Sequence, residues 1–331
     1  MGKNTLGLVL SLLLGLFIIA YAISSAGWKE VFSAFELLSF YKYLCIFGFY
    51  FLIYLITLAR WGTILGSMGY HIIFAKLLSF RLSEWSMGYI TPFSRLGGEP
   101  LLAYLFKKEC KIPYRKGIAV IILNKIMDFA SALMLAIIGV LLFLFSYSAY
   151  LSQKMGFAIL FTVLMLSALV YLFFIKIAKK EGFFSRITVY FKKIFHSDIH
   201  NSILMVEKEL HDFFKKHKKK VIMTMCISVI IQLLTIVNYK ILALFLGINL
   251  SFVQLLMIFA LVTVAFLVPT PGSLGSLEGA MALAFYALGY GAGAGVAFAL
   301  ILRSFELILT GIGLLFISYY GIKLKGLKFS N

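Results

Sequence analysis

Acidic side chains are scarce: 13 Asp and Glu stand against 31 Lys and Arg, and charged residues of both signs make up 13% of the 331 residues. So few charges cannot clothe a water-soluble surface. Three cysteines, Cys45, Cys110 and Cys226, have no pair spacing, which argues against a disulfide framework and against a zinc site. His196 and His200 have helical ligand spacing but no companions, so no metal is expected. The phosphate-binding Gly-x-x-x-x-Gly-Lys-Ser/Thr loop, the Gly-x-Ser-x-Gly elbow and the His-Glu-x-x-His zinc motif are all missing. Nucleotide-driven pumping and standard hydrolysis therefore lack visible machinery, and no cofactor is expected. What the chain does have is apolar surface, with 62% hydrophobic residues, 33 Phe and a mean hydropathy of +1.00. The apolar residues fall into runs near bilayer length, roughly 20 residues, separated by short polar breaks. The expected class is an all-α integral membrane protein, 1–331 forming a single polytopic domain. The formal charge of +18 is gathered in a few loops, where it reports orientation in the membrane rather than nucleic-acid binding.

The first apolar run is 5–23; its Ala20-Tyr21-Ala22 resembles a signal-peptidase site, but the length favours a retained span. A short interfacial helix is expected over 28–38, then spans at 41–66, 117–145, 155–175, 221–246 and 292–320. Between the second and third spans, an apolar arm carrying Arg81 and Glu84 is broken by Thr91-Pro92-Phe93-Ser94-Arg95-Leu96-Gly97-Gly98-Glu99-Pro100, and a short arm returns. Pro269-Thr270-Pro271-Gly272-Ser273-Leu274-Gly275-Ser276-Leu277-Glu278 breaks a second apolar stretch in the same way. Arms this short suit re-entrant hairpins better than complete crossings. Segment 176–220, with 12 Lys/Arg and five acids, reads as a basic cytosolic loop. Placing every basic segment on one side gives six full spans plus two hairpins entering from opposite faces, with both termini cytoplasmic in the cell inner membrane.

That topology implies two inverted copies, 1–145 and 154–320, and matching residues do share an offset. Pro92 and Pro271 differ by 179, as do Glu99 and Glu278; Lys125 and Arg303 differ by 178, as do Asp128 and Glu306; Arg60 and Lys240 differ by 180. A charge at mid-membrane costs roughly 2.5 to 3.5 kcal/mol even on the lenient insertion scale, so these groups need partners. Lys125 with Asp128, and Arg303 with Glu306, can each meet on one helical face. They either clasp the two copies together or line a hydrated cavity, and the residues leave both readings open. Arg60 and Lys240, nearer span ends, are expected to snorkel to the interface. At the first break, Gly97 and Gly98 let amides converge, Pro100 suits a helix start, and Arg95 offers a fork-shaped donor for a phosphodiester. Alternatively, Glu99 and Glu278 only cap helix starts and Arg95 pairs with one of them.

The segments Pro92-Phe-Ser-Arg-Leu-Gly-Gly-Glu99, Asn124-Lys-Ile-Met-Asp128 and Pro269-Thr-Pro-Gly-Ser-Leu-Gly-Ser-Leu-Glu278 resemble the flippase-like membrane module of lysylphosphatidylglycerol synthases, the multiple peptide resistance factors, and its stand-alone relatives. The resemblance covers nearly the whole chain; where it implies an arginine, this chain has Lys125. It implies a lipid flippase that moves a phospholipid or polyprenyl-phosphate headgroup through a groove between the hairpins while the tails stay in lipid. In that role Arg95 and the tip amides of Gly97 and Gly98 hold phosphate, and Lys125 and Arg303 relay it. Asp128, Glu99, Glu278 and Glu306 balance charge or meet a cationic headgroup. Pro92, Pro100, Pro269, Pro271, Gly272 and Gly275 shape the tips. The expected partner is a membrane lipid, either anionic phospholipid or polyprenyl phosphate, with a homodimer and a separate lipid-modifying synthase as further candidates and no nucleic acid. An enzyme is not expected: a lysyltransferase label can follow from the resemblance, but the soluble aminoacyl-transfer domain is absent from these residues. The alternatives are the membrane part of such a synthase and a small-solute or ion transporter.

Overall fold

A computed structural model describes residues 38–91, 97–146, 197–268 and 270–321, with a few isolated positions besides. Its elements are α1 (Phe40–Ser67), α2 (Phe74–Ile90), α3 (Glu99–Cys110), α4 (Tyr114–Ser146), α5 (Ser197–Lys216), α6 (Lys218–Phe245), α7 (Phe252–Ala265), a 3-10 turn (Pro271–Ser273), α8 (Ser276–Ala287) and α9 (Ala292–Tyr319). No strand occurs among the described residues. Helix is what lipid demands, because it satisfies the backbone within one segment. Four of these helices, α1, α4, α6 and α9, are long and apolar enough to cross a bilayer. The expected spans at 5–23 and 155–175 lie outside the described residues apart from isolated positions, as do the interfacial helix over 28–38, the loop 176–196 and the tail beyond 321. Pro92, Arg95 and Pro269 lie outside them too.

The helices at the two breaks are short: α2 has 17 residues, α3 and α8 have 12 each and α7 has 14. A crossing takes roughly 20. Their ends have local causes. In α7, Ser251 Oγ accepts from the Gln254 amide while Gln254 Oε1 accepts from the Ser251 amide, a reciprocal capping box. Helix α3 starts at Glu99-Pro100 and stops at Lys111 in the left-handed region (φ 55), with Lys107 and Lys108 facing the negative end of the helix dipole.

The elements repeat in register. Helices α1 and α6 begin 178 residues apart, as do α2 and α7 and also α4 and α9, while α3 and α8 begin 177 apart. Packing follows the same rule: α2 lies on α9, α7 lies on α4, and α1 lies on α6. At this offset Arg60 corresponds to Asn238, two residues from the Lys240 suggested by sequence.

The two short-helix pairs open at opposite ends of the molecule. Lys76, at the start of α2, reaches Glu109, at the end of α3 (Nζ to Oε2 3.6 Å), and Lys108 donates to the Tyr320 carbonyl beyond α9 (3.2 Å). Arg115 at the start of α4 meets Glu209 of α5 (3.7 Å) on this same basic end. Helices α1 and α6 are antiparallel, with Lys42 over the Phe245 ring and Arg60 on Ser228, so the base of the α7/α8 pair lies at the other end, where Tyr290 Oη donates to the Asn249 carbonyl (3.4 Å) and Phe285 packs on Tyr290. Part of the expected basic loop is in fact helix α5. Its Val206, Leu210 and Phe213 form one apolar stripe buried with Trp61, Phe80 and Phe106, a periodicity masked by the surrounding lysines.

Candidate functional site

Two clusters of acidic and basic side chains lie inside this apolar body, each combining a break-point glutamate with a base from the long helix that follows. In the first, Glu99 opens α3 and pairs with Lys125 of α4 (Oε1 to Nζ 2.7 Å). Lys125 Nζ also lies 3.9 Å from Glu84 Oε1 of α2, whose other oxygen takes Arg81 Nη1 at 2.5 Å. Arg81 in turn stacks over the Trp61 ring at 4.2 Å. In the second, Glu278 of α8 takes Arg303 of α9 bidentately, with Nη2 to Oε2 at 3.1 Å. Glu278 Oε2 also accepts the Gly275 amide (2.9 Å), so one carboxylate caps its helix and neutralises the arginine.

Arg303 has no N–H left over. Nε and one Nη2 hydrogen go to Glu278, the other Nη2 hydrogen goes to the Ser273 carbonyl (3.1 Å), and Nη1 serves Tyr89 Oη (2.7 Å) and the Gly272 carbonyl (3.0 Å). The carbonyls freed by the break at Pro271–Ser273 are thus satisfied by a side chain, which is how non-helical backbone persists at membrane depth. Tyr89, from the end of α2, joins the two breaks. Its ring packs on Gly272 (φ 54), where an added Cβ would sit 3.0 Å from the ring carbons. Glu306 approaches Arg303 Nη1 at 3.8 Å.

The sequence pairing of Lys125 with Asp128 does not form. Asp128 is taken by Arg60, Nη1 to Oδ1 at 2.5 Å and Nη2 to Oδ2 at 2.7 Å. Arg60 is fully buried and donates also to Asn124 Oδ1 (3.2 Å) and Ser228 Oγ (2.8 Å). It therefore does not snorkel: with a planar acceptor set waiting on α4 and α6, the guanidinium gains more by turning inward. Lys240 does reach a helix end, donating to Asn249 Oδ1 (2.6 Å) and the Leu250 carbonyl (2.5 Å).

Exposure separates the clusters. The Lys125 and Asp128 side chains are 40% and 42% accessible, whereas Arg303, Glu278 and Glu306 are at 5%, 0% and 6%. The residues at the breaks pack tightly. A Cβ on Gly98, the residue before α3, would fall 2.0 Å from the Glu84 carbonyl oxygen, and one on Gly97 would overlap Thr91. These glycines are needed for the close approach of α3 to α2. Pro100 sits in the first turn of α3, and Pro271 opens the 3-10 turn. Sequence reasoning missed Tyr89, a bare aromatic beside a break that carries no motif. It noted Arg81 and Glu84 without giving them partners; their spacing of three on one helix was the available signal.

These features define a multi-pass helical membrane protein with paired charges between broken helices. The chain belongs to the family described as the lysylphosphatidylglycerol synthase transmembrane region, whose model matches residues 6–313. It is also similar to a "UPF0104 membrane protein" of Methanothermobacter thermautotrophicus (strain Delta H), at 24% identity over 250 residues, 71% of this chain and 72% of the relative. No solved structure matches the chain.

Proposed function

We propose that the chain is a lipid transporter of the flippase type. In this reading it has six full crossings and two re-entrant hairpins, α2/α3 and α7/α8, in two inverted copies over 1–145 and 154–320. The shared register, and the opening of the two pairs at opposite ends, support it. The basic end is cytoplasmic under the positive-inside rule. One observation carries the functional part: Lys125 and Asp128 expose charge midway along an apolar crossing helix, beside a second cluster of the same design that is sealed. A buried clasp would need no such opening.

The headgroup of an anionic phospholipid or polyprenyl phosphate enters beside Lys125, while its tails remain among the lipid-facing side chains. Lys125 exchanges Glu99 for the phosphate, and Arg95 in the first tip adds a bidentate donor. The amides at Gly97 and Gly98, before the positive end of α3, complete the cradle. Asp128 keeps Arg60 in place, and Glu278 and Glu306 balance Arg303. Exchange of the sealed and open clusters, with Tyr89 releasing Arg303, moves the headgroup past the midplane. One charge moved through 100 mV is worth about 2.3 kcal/mol, so an inside-negative potential drives an anionic lipid outward.

The test is scrambling of fluorescent phosphatidylglycerol in proteoliposomes by wild type, Lys125→Gln and Arg95→Ala. The wild type should exceed empty vesicles, with both variants slowed by about tenfold or more, the loss of one charge-assisted contact. Equal rates in all three and in empty vesicles would remove the proposal.

A further inference from the structure

Four bases inside the body each meet a carboxylate: Arg60 has Asp128, Arg81 has Glu84, Lys125 has Glu99 and Arg303 has Glu278. Lys240 is different. Its described partners are two neutral oxygens, Asn249 Oδ1 and the Leu250 carbonyl. It lines an open-mouthed cavity of about 360 Å³ with Ile236, Val237, Phe252 and Leu255, near the end of α6 away from its basic start at Lys218, Lys219 and Lys220. The floor is apolar core, since Ile236, Leu250 and Leu255 are buried, while Val237 and Phe252 stand exposed. At offset 178 the copy has Gly62 in place of Lys240, so the site occurs in one half only.

We propose that this cavity holds the phosphate of a lipid in the leaflet opposite the basic loops. The ammonium has three hydrogens and, among the described residues, two acceptors, which leaves one for an anionic oxygen. No carboxylate meets this charge among the described residues, so it selects an anion, and the apolar walls select one that carries hydrocarbon. A volume of this size suits a headgroup and its first methylenes. The exposed Val237 and Phe252 let the rest of the tail lie on the lipid-facing surface. The site requires a bilayer around the chain but not transport by it.

The experiment is native mass spectrometry of the delipidated full chain titrated with dioctanoyl phosphatidylglycerol, dioctanoyl phosphatidylcholine and glycerol 3-phosphate. Wild type should take up one equivalent of the anionic lipid before the zwitterionic one, and no glycerol 3-phosphate. Lys240→Gln should weaken the anionic lipid by about fivefold, the worth of one lysine near a charged headgroup. Because Lys240 also ties down the turn after α6, Val237→Trp provides a second arm that narrows the cavity at an exposed position and leaves the cation intact; it should abolish the tight equivalent. Unchanged binding in Val237→Trp, or in a folded Lys240→Gln, would overturn the proposal. Glycerol 3-phosphate bound as tightly as the lipid would also overturn it, in favour of a soluble anion. Loss of scrambling with this binding intact would strike the transport reading alone.

Discussion

The two clusters use the same ingredients and end up in opposite environments. Lys125 and Arg303 match at offset 178 and their partners Glu99 and Glu278 lie one residue out of that register, yet the first base is two-fifths exposed and the second is sealed. Three differences account for this. Arginine has five donors where lysine has three, so only Arg303 can serve Glu278, Tyr89 and two carbonyls together. Tyr89 from the first half covers the second cluster; its counterpart at offset 178 is Leu267, which is exposed and has no polar tip to offer Lys125. Finally, α2 carries Arg81 and Glu84 where α7 carries Phe259 and Val262, so Glu84 shares Lys125 with Glu99. Quasi-symmetric elements can therefore hold one closed and one open site within a single conformation.

The largest test of that contrast is Arg303→Ala. It strands a wholly buried carboxylate, and breaking such a pair costs about 3–5 kcal/mol. The expected result is loss of monodisperse protein in a size-exclusion thermal melt, with partial recovery in Arg303→Ala/Glu278→Gln. Arg60→Ala comes next, at about 2 kcal/mol: it removes a fully buried guanidinium, but the half-open Asp128 left behind can be hydrated. A double-mutant cycle with Asp128→Asn should show coupling between the two. Tyr89→Phe removes one hydrogen bond to a charged group, about 1.5 kcal/mol, and should lower the melting midpoint while leaving expression intact. Lys125→Ala takes the base from the buried oxygens of Glu99 and should cost about 1–3 kcal/mol, still less than Arg303→Ala because the Lys125 side chain is two-fifths exposed. It should nevertheless slow scrambling strongly. If Lys125→Ala destabilised the protein as much as Arg303→Ala, the two clusters would be equivalent and the contrast would fail.

The long apolar helices α1, α4, α6 and α9 were readable from sequence to within a few residues, because hydropathy acts one segment at a time. The two breaks were readable too, since Pro and Gly act locally on the backbone. Partner choice was not. Lys125 stands three residues from Asp128, but a neighbour on the same helix competes with groups on three other helices, and the fork of Arg60 fits Asp128 better. Arg60 near a span end suggested snorkelling; only the arrival of Asn124 and Ser228 from other helices makes its burial favourable. Helix α5 was hidden by its own composition, because the lysines around Val206, Leu210 and Phe213 dominated the average.

The open-and-closed contrast is tested most directly by water accessibility in a bilayer. With Cys45, Cys110 and Cys226 replaced, Lys125→Cys and Leu302→Cys, the latter beside Arg303 and 5% exposed, are reacted with a charged methanethiosulfonate in intact proteoliposomes. Lys125→Cys should react at least about tenfold faster, as an opening worth roughly 1.4 kcal/mol or more requires. Equal rates, or faster reaction at Leu302→Cys, would contradict it.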